Sequence, residues 1–214
     1  MSVYNDMNLS GVSTFLADLA SDTPAPGGGA SAAVIGAIAC AQSAMVAGLS
    51  LQNTTCRKDE ACVAALSRLR EQFLTLQKQF LSYVADDAHA YTELSAVFKM
   101  PRDTSEEVES RHALLQKHLV LATIPPFEVL HNTHEALASV AELAEYASSM
   151  TKTDLIVASL ALKAAARGGE AMVRANTMYL SDAQKAAALE EKAHVLAQSS
   201  DSLSQDIYHA ISTS

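Results

Sequence analysis

Apolar positions along this chain fall at helical spacing almost throughout. Val12, Phe15, Leu16 and Leu19 recur three and four residues apart, which predicts a short amphipathic helix over residues 10–21. The run from Asp22 to Gly29, with two prolines and three glycines, ends it; such a run cannot continue a helix but can open a new one. Residues 29–52 then carry an unusual stripe. Gly29, Ala33, Gly36, Cys40, Ser43 and Ala47 follow one another at steps of four and three, and all are small enough for a second backbone to approach closely. No charged residue stands between Asp22 and Arg57. Length and small-residue spacing would suit a membrane span. The segment is rich in Ala, Gly and Ser rather than Leu and Ile, and no basic cluster flanks it, so a buried central helix and no membrane partner are expected.

A long helix follows over about 59–99, its stripe marked by Leu66, Leu69, Phe73, Leu76, Phe80, Tyr83, Val84, Tyr91 and Leu94, and Pro101 closes it. Thr104-Ser-Glu-Glu107 is a capping box that starts another helix. Pro125-Pro126 interrupts that one, and a further helix runs to about Ser148. The next is expected to begin at Asp154 and run to about Asn176. Ser181-Asp-Ala-Gln184 has the form of a second capping box, opening a last helix over 182–212. No strand alternation and no internal repeat is visible. Short connections between helices predict antiparallel neighbours, so the expected fold is all-α: one domain over 1–214, an antiparallel bundle of long helices around a central small-residue helix.

Composition sharpens this. Apolar residues make up 49% of the chain, too many for a disordered one, and charged residues only 18%, few for wholly exposed helical surfaces. With the charge-free helix, this points to a buried subunit interface and a homodimer. The net charge is −9 and no basic run is long enough to follow a phosphate backbone, so nucleic acid is not an expected partner. Cys40, Cys56 and Cys62 do not read as a disulfide framework. They fit a reducing cytoplasm, and the start MSVYNDMNLSG lacks the regions of a signal peptide.

Chemistry is sparse by pattern alone. His131 and His134 lie three apart with no further ligand between them, so no metal site is expected. Gly27-Gly28-Gly29 follows no strand and is no nucleotide loop; it offers a tight turn, close packing, or backbone N–H groups at a helix start. Asp87 is the most informative residue. Tyr83 and Val84 lie one turn before it and Tyr91 and Leu94 one and two turns after, which sets the carboxylate on the apolar stripe and Asp86 to the side. A buried carboxylate is costly unless paired. Left unpaired, its pKa rises toward the range of general acid–base work; satisfied by a hydroxyl or backbone donor, it is structural. Asp154 reads most simply as a first-turn carboxylate favoured by the helix dipole, and Asn176 as a C-terminal cap.

Taken together, these residues resemble a known family. Thr23-Pro-Ala-Pro-Gly-Gly-Gly-Ala-Ser-Ala-Ala33, running into the small-residue helix, is similar to the hallmark of the formimidoyltetrahydrofolate cyclodeaminase and methenyltetrahydrofolate cyclohydrolase family. Asp87-Ala-His-Ala-Tyr91 resembles its Asp-Ala-x-Ala-aromatic segment, and Lys99-Met-Pro-Arg102 its Lys-x-Pro-Lys segment. Thr153-Asp154, followed by an Ala-rich helix reaching Asn176, resembles its Ser-Asp helix closing in Asn. The order matches from about residue 10 to the end. The resemblance implies an all-helical homodimer acting on a tetrahydrofolate-borne one-carbon unit without metal or other cofactor. It implies Asp87 as acid/base or pterin anchor with Asp154 assisting, and Pro26, Gly27, Gly28, Gly29, Tyr91, Lys99 and Asn176 as substrate-binding residues.

Two reactions stay open: closure of 5-formimidoyl-tetrahydrofolate to the methenyl form with loss of ammonia, and opening of the methenyl form by water. The chain also departs from the pattern. Gly48-Leu49-Ser50 stands for Asn-Leu-Thr, Gln52–Arg57 replaces a glycine- and lysine-bearing stretch, and Ser148 and Thr153 stand for Asn and Ser. These departures leave open a folate- or pteridine-binding protein without catalysis, or a helical interaction module that kept the fold.

Overall fold

The computed structural model describes residues 9–213; Met1–Asn8, most of the start read as lacking a signal peptide, lie outside the described residues. It is built of α1 (Ser10–Leu19), α2 (Gly28–Ser50), α3 (Glu60–Phe98), α4 (Ser105–Leu121), α5 (Ile124–Ala144), α6 (Ser149–Thr177) and α7 (Ala183–Ser212). Among the described residues there is no strand. The expected all-α bundle is therefore the fold.

Its centre is α2, which packs on α3, α5 and α6, while α7 lies along α5 and α6. Every member of the small stripe (Gly29, Ala33, Gly36, Cys40, Ser43 and Ala47) is buried. The spacing matters because the neighbours come so close: a Cβ on Gly36 would lie 2.6 Å from Cε1 of the buried Phe80, and one on Gly168 of α6 would lie 2.8 Å from Cβ of Ala32. By length and composition α2 could cross a bilayer, yet most of its apolar stretch is buried inside the bundle. The α3 stripe meets it with Leu66, Leu69, Phe73, Leu76 and Phe80, all buried, and with the half-buried Tyr83 and Val84; Tyr91 is exposed. The outer face of α2 leaves Ile38, Met45 and Leu49 exposed.

Local capping accounts for most helix ends and corrects several sequence expectations. Thr104 and Glu107 form the expected capping box. Ser181 does not form the second one: the N-cap of α7 is Asp182, which accepts from the Lys185 N–H, and Ser181 hydrogen-bonds Gln116 and His112 instead. Two cappable residues stand side by side there, and pattern cannot choose between them. Nor does α6 begin at Asp154. Ser148 caps it, accepting from the Thr151 N–H, so Asp154 lies in the second turn. The preceding helix, α5, ends at Ala144 rather than near Ser148.

Cys56 and Cys62 form a disulfide, against the expectation from cysteine count. A 3₁₀ turn over Cys56–Lys58 and the first turn of α3 fold the six-residue separation back, bringing the two Cα atoms to 5.5 Å, within the span a disulfide needs.

Enlarging the stripe should show its tightness. Gly36→Ala gains about 1 kcal/mol of helix propensity. It drives a methyl into a ring with no room to move, an overpacking cost of about 1–3 kcal/mol. We expect a net loss of stability, read as a lower urea midpoint at unchanged m-value; a higher midpoint would show that the α2–α3 contact is slack.

Candidate active site

The start of α2 and the middle of α3 meet around Asp87. The run of prolines and glycines delivers the chain to Gly27, the extended residue before α2, and the first turn of the helix then lies directly on α3. Here glycine is required by contact. A Cβ on Gly29 would fall 2.1 Å from Asp87 Oδ1, so any larger residue would take the place of the carboxylate. The next residue, Ala30, donates its backbone N–H to Asp87 Oδ2 at 3.2 Å. A helix start presents such unsatisfied N–H groups, and a carboxylate is a natural acceptor for one. Asp87 is half-buried and Asp86 exposed, as the stripe predicted. Burial pushes the Asp87 carboxyl above its ordinary pKa, and the Ala30 hydrogen bond only partly offsets this.

Beside this contact lies a cavity of about 170 Å³. The Pro24–Gly28 loop forms one wall, Asp87, Tyr91 and Leu94 of α3 a second, and Met172 and Asn176 of α6 a third, with Ala122 at the end of α4 closing it. Gly27, Gly28, Asp87, Tyr91 and Asn176 are thus brought together, although they come from three distant stretches of the chain. Pro26 is half-buried in the same loop, and Gly29 is buried beneath Asp87. Lys99 is exposed at the C-cap of α3 and is not among the residues lining the cavity.

Asn176 is not a C-terminal cap. It lies inside the last turn of α6, where its amide Nδ2 donates to the carbonyls of Met172 at 3.0 Å and Ala122 at 2.9 Å. Asp154 lies elsewhere: its Oδ1 accepts from Gln42 Nε2 at 3.2 Å, some 22 residues or about 33 Å down α6 from Asn176. It faces the second half of α2, not the cavity. Met172 was invisible to sequence reasoning, yet its sulfur would sit 2.9 Å from a Cβ on Gly28. Its one available signal was its position four residues before Asn176, on the same helix face.

The departures have local physical readings. Ser148 is a helix N-cap, a role for which Ser and Asn are about equally suited. Thr153 bonds the Met150 carbonyl, and Gly48 lies against Arg70. Other candidate groups are remote from reactivity. The Cys40 thiol is pushed up to about 12 by burial, with the Glu135 charge adding to it. Among the described residues, no three His, Cys, Asp or Glu side chains cluster as metal ligands would.

Known proteins resemble this chain in sequence and in fold. Residues 11–195 match the family model described as formiminotransferase-cyclodeaminase. A methenyltetrahydrofolate cyclohydrolase from Methylorubrum extorquens is 28% identical over 200 residues, covering 94% of this chain and 95% of that protein. A formimidoyltransferase-cyclodeaminase from Sus scrofa is 30% identical over 169 residues, 79% of this chain but only 31% of that protein. The solved structure of a formiminotetrahydrofolate cyclodeaminase from Thermotoga maritima superimposes with a TM-score of 0.77 over 94% of this chain and 96% of that one, at 21% identity, and so shares the fold.

The position of Asp87 has a consequence for stability. A carboxyl whose pKa is raised by folding is bound more tightly to its proton in the folded state. Stability is then lost as pH rises from the unfolded pKa through the folded one, and the full penalty is present above both. Asp87→Asn keeps an oxygen for the Ala30 N–H and removes the buried charge. We expect the variant to melt higher than wild type near pH 7, with the gap closing as pH falls and gone below about 3.9, the ordinary Asp value. A variant that melts lower at neutral pH would mean the charge is paired.

Proposed function

The chain belongs to the formiminotransferase-cyclodeaminase family, and from that premise we propose that it is an enzyme of folate one-carbon chemistry whose reacting centre is the Asp87 cavity. The observation that carries this is the half-buried carboxylate, held against a helix start by a glycine contact and opening on a cavity shared with Tyr91 and Asn176. At about 170 Å³ it is smaller than the roughly 300–1,000 Å³ of pockets that enclose whole drug-sized ligands. The pteridine ring and its one-carbon bridge enter it, while the anionic tail of the folate lies outside.

In one direction N10 of 5-formimidoyl-tetrahydrofolate attacks the amidine carbon and ammonia leaves. In the other, water adds to the methenyl carbon and the ring opens to the 10-formyl form. Both pass through a tetrahedral carbon between two nitrogens, and both require a proton to be moved at that carbon's substituents. The carbon stays at the oxidation level of formate, so the chemistry asks for no redox cofactor, and Asp87 with its raised pKa is suited to take and return the proton. We assign Gly27, Gly28 and Tyr91 to the cavity wall that holds the ring.

A second copy of the chain covers the outer face of α2, where Ile38, Met45 and Leu49 stand exposed. Asp154, joined to Gln42 of the same helix, then assists from the interface rather than from within the Asp87 cavity. Sedimentation at micromolar concentration should give a dimer without detergent; a monomer would remove that role for Asp154.

Absorbance of the methenyl chromophore tests the reaction. Its growth from 5-formimidoyl-tetrahydrofolate with ammonia release identifies the cyclodeaminase, and its loss from the methenyl form the cyclohydrolase; neither change would refute the proposal. Asp87→Asn should lower turnover by about 10² or more, the scale of a lost positioned acid or base, while affinity falls less.

A further inference from the structure

Asn176 offers the cavity an acceptor whose direction is fixed. A side-chain amide has two N–H donors and one carbonyl oxygen. Both donors of Asn176 are spent on backbone carbonyls, those of Ala122 and Met172. Flipping the amide would turn its oxygen onto those two carbonyl oxygens, so the assignment follows from the partners themselves. Oδ1 is left for the cavity that Asn176 lines. On α3, Asp87 spends Oδ2 on the Ala30 N–H and keeps Oδ1. No Lys, Arg or His is among the lining residues. Two acceptor side chains lining one cavity, from α6 and α3, suit an occupant that presents two N–H or O–H donors at once.

Resting on the function proposed above, we infer that Asn176 Oδ1 and Asp87 together hold the water or ammonia that exchanges at the one-carbon carbon. A water that donates one hydrogen to each acceptor has its lone pair left free to face the carbon. The O–C bond forms as the C=N⁺ π pair moves to N5, and the proton directed at Asp87 passes to it, giving a neutral tetrahedral intermediate. As C=O forms, the C–N5 bond breaks, N5 takes the proton back from Asp87, and the hydroxyl proton goes to solvent. In the deaminating direction, the amino group on the tetrahedral carbon takes a proton from Asp87. It departs as ammonia with the C–N bonding pair, while the N5 lone pair restores C=N⁺. Asn176 accepts a hydrogen bond throughout and never carries the proton.

The test separates this role from a structural tie and from a grip on the ring. Asn176→Ser keeps a donor for the Met172 carbonyl through its hydroxyl but withdraws the acceptor from the cavity; Asn176→Ala removes both. Turnover is followed by methenyl absorbance, and affinity by titration with 5-formyltetrahydrofolate as a non-reacting probe. Both variants should lose about 10²-fold in kcat, the scale of a displaced reacting group, with Kd close to wild type. Unchanged kcat in a folded variant overturns the inference. So does a loss confined to Kd and KM, which would place Asn176 on the pteridine ring. On wild-type enzyme, independent of any variant's folding, ammonium should slow the opening by water more than tetramethylammonium at equal ionic strength, because the latter has no N–H to donate. Equal effects of the two salts would also overturn it. A wild-type protein that turns over neither folate instead refutes the proposed function, and this inference falls with it.

Discussion

One contact organises this protein: the first turn of α2 against Asp87 of α3. It has two requirements that only adjacent residues can meet. Position 29 must be glycine, because the space a Cβ would fill is occupied by the carboxylate. Position 30 must turn an unsatisfied backbone N–H toward the same carboxylate. The helix start therefore satisfies a buried charge, and the buried charge satisfies the helix start. Everything else at the site depends on this pairing. It fixes the loop from Pro24 to Gly28 as a wall of the cavity, and it orients the length of α3 on which Tyr91 and Leu94 follow.

The compensation is incomplete, and in the reaction proposed above that is what suits Asp87 to move a proton. One backbone hydrogen bond does not repay the desolvation of the carboxylate, so the Asp87 pKa remains raised. A fully paired Asp would be inert ballast in the core, and an exposed one would hold its proton only in acid. The α3 stripe sets Asp87 between these extremes by pointing it inward at the edge of the core rather than at its middle.

Much of this was legible in the sequence because helices write their packing at a period of 3.6 residues. The small stripe of α2, the inward placement of Asp87 and the Thr104 capping box all follow from spacing within a single element. What spacing cannot carry is distance between elements. Sequence reading grouped Asp154 with Asp87, but the two lie toward opposite ends of the bundle, and only the packing of α6 on α2 shows it. It read Asn176 as a cap because its partner, the Ala122 carbonyl, belongs to another helix. It set Gly27, Gly28 and Gly29 together, whereas the first two line the cavity and the third lies beneath Asp87. Cysteine count missed the Cys56–Cys62 bond because proximity there is made by a local 3₁₀ turn.

The composition of α2 carries a further meaning. Apart from Val46, its buried face is built of Gly, Ala, Ser and Cys, side chains with few or no rotamers to lose. Ordering that face costs little side-chain conformational entropy, unlike burying Leu, Met or Phe. The same lack of rotamers leaves α2 no means of yielding: it cannot repack around a shifted neighbour. Adjustment at the centre of the bundle then falls to the long side chains that press on it, Phe80 from α3 and Met172 from α6. The helix behaves as a rigid gauge against which the two sides of the cavity are set, and any breathing of the site belongs to its partners.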